Sequence, residues 1–248
     1  MAKVVLVTGG ATGIGEAIVR ELAQVGYDIA IAYHTSHQQA QSLLEDITSA
    51  YPIHAHIYQV DVSSEDQVKD MMTAIEEDMG GVDILINNAA IDLPNLFELK
   101  TAEEFRKVLD VNVVGAYNCA SALYRHFVDN KWGRIINIAS TNGINTYYPM
   151  CFDYDASKAA LISLTHNLAL QYAPYVNVNA IAPGFIGTKH ELEGYDEDFL
   201  KEECDKILVK RYGEPEEVAH LVKFLISDEA NYINNTVIRI DGGQMGSY

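Results

Sequence analysis

Val4-Val5-Leu6-Val7-Thr8-Gly9-Gly10-Ala11-Thr12-Gly13-Ile14-Gly15 decides how the chain reads. An apolar, β-branched run ends in a glycine-rich turn, and helical periodicity follows from Gly15 to Val25. In a strand–turn–helix unit the glycines let the backbone turn tightly and approach a pyrophosphate. The helix amino terminus supplies unpaired N–H groups. No Gly-Lys-Ser/Thr follows, which excludes the nucleotide-triphosphatase loop. Beyond this unit, strand-like runs at Asp28–Tyr33, Ile53–Val60, Val82–Asn87, Arg134–Ile138, Val176–Ile181 and Thr236–Ile240 alternate with helical patterns. The helical stretches are Ser36–Ala50, Ser64–Met79, a long pattern over Ala102–Asp129, Tyr154–Tyr172 and Pro215–Ile226. Such alternation implies parallel strands joined by right-handed crossovers. Near-continuous apolar strands suit a sheet covered on both faces. The expected fold is α/β, one doubly wound Rossmann-type domain over residues 1–248 with a sheet of about seven strands.

Composition narrows the function. Seventeen Lys+Arg against 35 Asp+Glu give a formal charge of −18, a surface that repels nucleic acid and anionic membranes. No apolar run is long enough to span a bilayer, and the amino terminus enters a strand at once, without the regions of a secretory signal. Three widely spaced cysteines, Cys119, Cys151 and Cys204, support neither a disulfide framework nor a metal site. The expected location is the cytoplasm.

Further along, Asp153-Tyr154-Asp155-Ala156-Ser157-Lys158 places a phenol and an ammonium one helical turn apart. Standing alone, this is the pattern of a surface i, i+4 pair. In company it resembles the short-chain dehydrogenase/reductase family, whose phosphate loop reads Thr-Gly-x-x-x-Gly-Ile-Gly. The likeness runs through Asp61-Val62, Asn87-Asn88-Ala89-Ala90, Asp110-x-Asn112-x-x-Gly115, Ser140 after the strand Ile135–Ala139, Tyr154-x-x-x-Lys158 and Pro183-Gly184 with Thr188. The tail, Arg211-Tyr212-Gly213-Glu214-Pro215 through Asp241-Gly242-Gly243, follows the family too.

The resemblance implies hydride transfer between a nicotinamide cofactor and a small carbonyl or secondary alcohol. Catalysis would fall to Asn112, Ser140, Tyr154 and Lys158. Tyr154 would be the acid/base, and Lys158 would lower its pKa from ~10 and hold the nicotinamide ribose. Ser140 would steady the substrate oxygen, and Asn112 would hold a water relay. The cofactor would lie along Gly9, Thr12, Gly13, Ile14, Gly15, Tyr33, His34, Thr35, Asp61, Val62, Asn88, Ala89, Ala90, Tyr154, Lys158, Pro183, Gly184, Ile186 and Thr188. After the second strand Tyr33-His34-Thr35-Ser36 carries no carboxylate to repel a 2′-phosphate, which favours NADP(H) over NAD(H). The arginine common in NADP users is missing, and Thr12 stands in its place.

In pattern the whole chain is closest to the oxoacyl reductases of fatty-acid synthesis, one alternative function. A non-catalytic dinucleotide-binding regulator is another. Residues 188–210 would form a substrate lid, and the family implies a homotetramer or dimer. Between Lys189 and Lys206 lie eight acids against three lysines, which favours a neutral or cationic substrate over an acidic carrier protein. Ser140 and Tyr154 are fourteen residues apart, one more than is common in the family. The extra residue points to Tyr147, Tyr148, Met150 and Phe152 as substrate contacts, or as residues packed on a neighbouring loop. The two aspartates flanking Tyr154 are expected to face outward or line the pocket entrance.

Overall fold

The computed structural model describes residues 2–244; Met1 and residues 245–248 of the expected domain lie outside them. Within these residues the strands are β1 (Val4–Thr8), β2 (Asp28–Tyr33), β3 (Ala55–Gln59), β4 (Ile84–Asn87), β5 (Gly133–Ile138), β6 (Val176–Pro183) and β7 (Val237–Ile240). They form one sheet in the order β3-β2-β1-β4-β5-β6-β7, with every neighbouring pair parallel. The order reverses between β1 and β4, and a doubly wound sheet opens its ligand crevice at that switch point.

Alternate residues of each strand feed opposite faces. Val5 and Val7 join Ile18, Leu22, Val218 and Val222 in one core, beneath α1 (Gly13–Gln24), α2 (His37–Ala50) and α10 (Pro215–Ile226). Val4 and Leu6 join Val68, Ile75, Cys119, Phe127 and Leu168 in the other. That second core lies under α3 (Glu65–Met79), α5 (Gly115–Ala122), α6 (Tyr124–Asn130) and α7 (Phe152–Tyr172). Local chemistry marks the helix ends. Ser64 caps α3, and Gly80 ends it at φ +83°. Thr101 and Glu104 form a capping box on α4 (Ala102–Leu109).

The expectation of one helix over Ala102–Asp129 needs correction. α4 ends at Leu109, a π turn occupies Asp110–Val114, α5 follows, and α6 restarts at Tyr124. The wider π turn carries Asn112, whose side-chain amide pairs with the backbone of Ile91 on both sides. Hydrophobic periodicity continues through the interruption, so nothing local announces it. Between β6 and α10, α8 (Lys189–Gly194) and α9 (Glu197–Asp205) occupy the segment expected to be a lid.

Candidate active site

The glycine-rich turn is a cradle that only glycine can form. Gly9 and Gly13 adopt φ of +61° and +56°, and a Cβ on Gly15 would lie 2.2 Å from the Gly9 carbonyl oxygen. Thr8 Oγ1 accepts from the backbone N–H of Asn88 and of Ala89, each at 3.0 Å. Asn88 Nδ2 donates to the carbonyls of Thr8 and Gly9, both at 3.0 Å. Asn88 is therefore committed to bracing the loop. α1 begins without a side-chain cap, so no cap side chain occupies its first N–H groups.

Around this cradle Thr12, His34, Thr35 and Ala90 are exposed, while Gly13, Ile14, Asp61, Gly184 and Thr188 are half-buried. Tyr33 is buried, with its hydroxyl 2.6 Å from His37 Nδ1, so it backs the rim more than it faces a ligand. Hydrogen bonds from Ser63 hold the Asp61 carboxyl below its usual range. Val62, Pro183 and Ile186 are buried, and Thr188 caps α8 through Glu191 N–H. A close-packed glycine loop, an uncapped helix start and a rim without carboxylate after β2 fit a dinucleotide.

β5 delivers Ser140 at its carboxyl end, and α7 delivers Tyr154 and Lys158 from its first turns. The Ser140 hydroxyl neighbours the Tyr154 phenol and favours its ionised form. Lys158 is buried, its Nζ donating to the Ile138 carbonyl at 2.7 Å and lying 5.3 Å from the Tyr154 ring centroid. Burial pushes Lys158 down to about 8. Asn112 Nδ2 donates to Ile91 O and to Ser157 Oγ at 3.0 Å, and Ser157 Oγ donates to the Tyr154 carbonyl at 2.7 Å. Four side chains spread over 47 positions of sequence thus meet at one end of the sheet. Tyr154 departs from expectation. In the protein alone its phenol is raised above the ordinary tyrosine value, first by burial and then by Asp92, with Glu191 and Asp155 adding to it. Ser140 opposes this, but burial is the largest influence and the phenol stays raised.

Neither flanking aspartate faces outward, the first of the two placements expected for them. Asp153 is 0% exposed and ion-paired with Lys100 at 2.6 Å. Asp155 is 8% exposed; it accepts from Asn142 Nδ2 at 2.6 Å and from Tyr148 N–H at 3.3 Å. A carboxylate can be buried this way because each oxygen finds a donor. Asp155 thereby ties down the segment that carries the extra residue. Within that segment Tyr147 and Met150 are exposed, and Tyr148 donates to Glu203 of α9 at 2.8 Å. Phe152 packs against Phe97 and Phe105.

Sequence reasoning missed Asp92, Lys100 and Asn142. Their partners are 13 to 59 residues away, and no local pattern marks such pairings. Among the described residues there is no metal-binding cluster, and no helix long and apolar enough to cross a membrane.

Residues 9–245 match the family model described as Enoyl-(Acyl carrier protein) reductase. The chain is 39% identical to an acetoacetyl-CoA reductase of Rhizobium meliloti over 98% of this chain and 99% of the relative. The chain belongs to the short-chain dehydrogenase/reductase family. A 3-oxoacyl-[acyl-carrier-protein] reductase of Aquifex aeolicus is 37% identical over 97% and 96% of the two chains. Among solved structures, acetoin dehydrogenase YohF of Salmonella typhimurium superposes with a TM-score of 0.88 at 33% identity, covering 99% of this chain and 98% of that one. Like other members of this family, the protein is a nicotinamide-dependent oxidoreductase acting on carbonyl and CH–OH groups.

Proposed function

We propose that Tyr154 transfers the proton and that Ser140 and Lys158 complete its site, with NADP(H) as the preferred cofactor and a neutral or cationic small ketone or alcohol as substrate. The observation that carries this reading is the convergence of Ser140, Tyr154, Lys158 and Asn112 beside the glycine cradle. Bound nicotinamide supplies the hydride donor or acceptor. The protein's share is to hold a proton on the Tyr154 oxygen, with Ser140 donating to the substrate oxygen as charge develops there. Both Asn112 amide hydrogens are used within the protein. A water relay from Asn112 therefore runs through a remaining acceptor position.

The absence of a carboxylate at Tyr33-His34-Thr35 supports NADP(H), and exposed His34 and Thr35 are free to meet a 2′-phosphate. Steady-state kinetics with both cofactors checks this. NADPH is expected to exceed NADH in kcat/KM by about tenfold or more, the worth of one hydrogen bond to a charged group. A clear NADH preference would refute it.

Substrate charge is read from the carboxylates around the phenol, Asp92, Asp155 and Glu191, which all act on Tyr154. An anionic substrate would be repelled there, and the acids of α8 and α9 reinforce the field. A series of ketones matched in size but neutral, ammonium-bearing or carboxylated tests it. The carboxylated ketone is expected to be about tenfold poorer in kcat/KM, and equal efficiency would refute the reading. Reduction of 3-oxoacyl thioesters is the second reading, supported by the names of the relatives. The same panel carries acetoacetyl-CoA, and that substrate surpassing every small ketone would favour it.

We further place the lid at residues 188–210, the assembly as a homotetramer or dimer, and the reaction in the cytoplasm. Tyr148 and Glu203, which join the lid to the segment after β5, support the first. Cys119, Cys151 and Cys204, all unpaired, suit the last.

A further inference from the structure

Three carboxylates gather at the amino-terminal turn of α7. Asp153 acts electrostatically on both Asp92 and Asp155, and Asp92 and Asp155 act in turn on Tyr154. Lys100 stands among them. Its Nζ reaches Asp153 Oδ2 at 2.6 Å, with side chains only 3% and 0% exposed, and also donates to the Leu93 carbonyl. Asp153 Oδ1 meanwhile accepts from the Tyr154 backbone N–H at 3.0 Å. One ion pair therefore joins the turn that carries the phenol to the segment 91–100, which carries Asp92. That segment also holds Ile91, the backbone partner of Asn112.

Buried charge is tolerated only when paired, and removing one partner leaves the other uncompensated. Here the uncompensated charge would sit one residue from Tyr154. The other groups facing the phenol are Ser140 from the end of β5, Asp92 from the 91–100 segment, Glu191 from α8, and Asp155 and Lys158 from α7 itself. Asp92, Glu191 and Asp155 already oppose the phenolate, so a fourth, bare carboxylate would add to an existing field.

We propose that Lys100 and Asp153 are positioning residues for Tyr154: their ion pair locks the first turn of α7 to the 91–100 segment and cancels a carboxylate charge beside the acid/base. Lys100 acts through Asp153 and does not touch the substrate. This rests on Tyr154 being the acid/base, and the experiment separates the two ideas.

The test measures kcat for alcohol oxidation from pH 6 to 11 in the wild type, Lys100→Met, Asp153→Asn, the double variant, Lys100→Arg and Tyr154→Phe. Oxidation needs the phenolate, so kcat climbs through the Tyr154-linked pKa. Lys100→Met is expected to move that limb up by about half a unit or more, and to lower kcat about threefold or more at pH 7.5. Asp153→Asn leaves a lone cation and is expected to move the limb down. The double variant holds a neutral pair and is expected to return the limb to within about 0.3 units of wild type. Lys100→Arg keeps the charge and is expected to keep the wild-type limb. Cofactor Kd by fluorescence titration is expected to stay within about twofold throughout.

If both single variants lose kcat with the limb unmoved, or the limb moves the same way in both, the pair is only structural and the proposal falls. If Lys100→Met does not fold, the double variant and Lys100→Arg still decide: a displaced limb in either overturns it. Wild-type turnover in Tyr154→Phe would instead overturn the acid/base reading itself.

Discussion

Tyr154→Phe is expected to lower kcat for both carbonyl reduction and alcohol oxidation by about 10³-fold, the middle of what a positioned acid/base contributes. The ring stays, so packing at the start of α7 is preserved and only the hydroxyl is lost. Its neighbour Ser140 keeps a separate contact, with Oγ accepting from Asn142 N–H at 3.2 Å. The effect on stability is therefore limited to about 1 kcal/mol, the net value of one hydrogen bond. The glycine cradle is untouched, so cofactor affinity is expected to remain within about threefold by fluorescence titration. Steady-state kinetics on the best substrate of the panel gives the rate. A variant retaining more than a tenth of wild-type kcat would show that the proton moves through another group.

Lys158→Met is expected to reduce kcat by about 10²-fold or more and to change the pH dependence of stability. The ammonium is buried against the Ile138 carbonyl, and burial brings it down to about 8 from an ordinary value near 10.5. In the unfolded chain the lysine keeps its proton to higher pH than in the folded one. Folding therefore releases a proton between these values, and wild-type stability rises with pH across that interval. Below about 8 both states are protonated and this contribution is flat. Relative to Lys158→Met, the wild type is expected to gain as much as ~3 kcal/mol between pH 8 and pH 10.5. Urea unfolding at pH 7, 8.5 and 10 measures the difference. A difference that stays constant or shrinks as pH rises would contradict the burial of a charged lysine.

These two residues share a helix face, yet they meet opposite fates in the folded chain. Burial raises the phenol and lowers the ammonium, because each is pushed towards its neutral form. An expectation built on the pair alone, with lysine lowering tyrosine, omits the low-dielectric surroundings that act on both. The carboxylates Asp92, Glu191 and Asp155 add to the opposition. Positive charge from a bound oxidised nicotinamide is the counterweight that the proposed chemistry calls for.

What the chain determined by itself is local or ordered along its length. β-branched runs against helical periodicity set the strands and helices, and the alternation of the two set a parallel sheet. The glycines at 9, 13 and 15 marked the loop, because tight turns and close approach leave a direct trace in residue choice. The order of Ser140, Tyr154 and Lys158 after that loop marked the family. Three features took the tertiary structure to decide. The helix over Ala102–Asp129 breaks into a π turn because Asn112 finds its partner in Ile91, twenty-one residues away. Tyr148 faces Glu203 rather than open solvent, and Phe152 packs on Phe97 and Phe105. Asp153 and Asp155, which helix geometry alone leaves facing outward or at the pocket entrance, are buried because Lys100 and Asn142 meet them from distant segments. Periodicity reports which side of an element is apolar. It carries no signal for one polar side chain satisfied by another 53 positions away, since that pairing exists only once the chain has brought the two together.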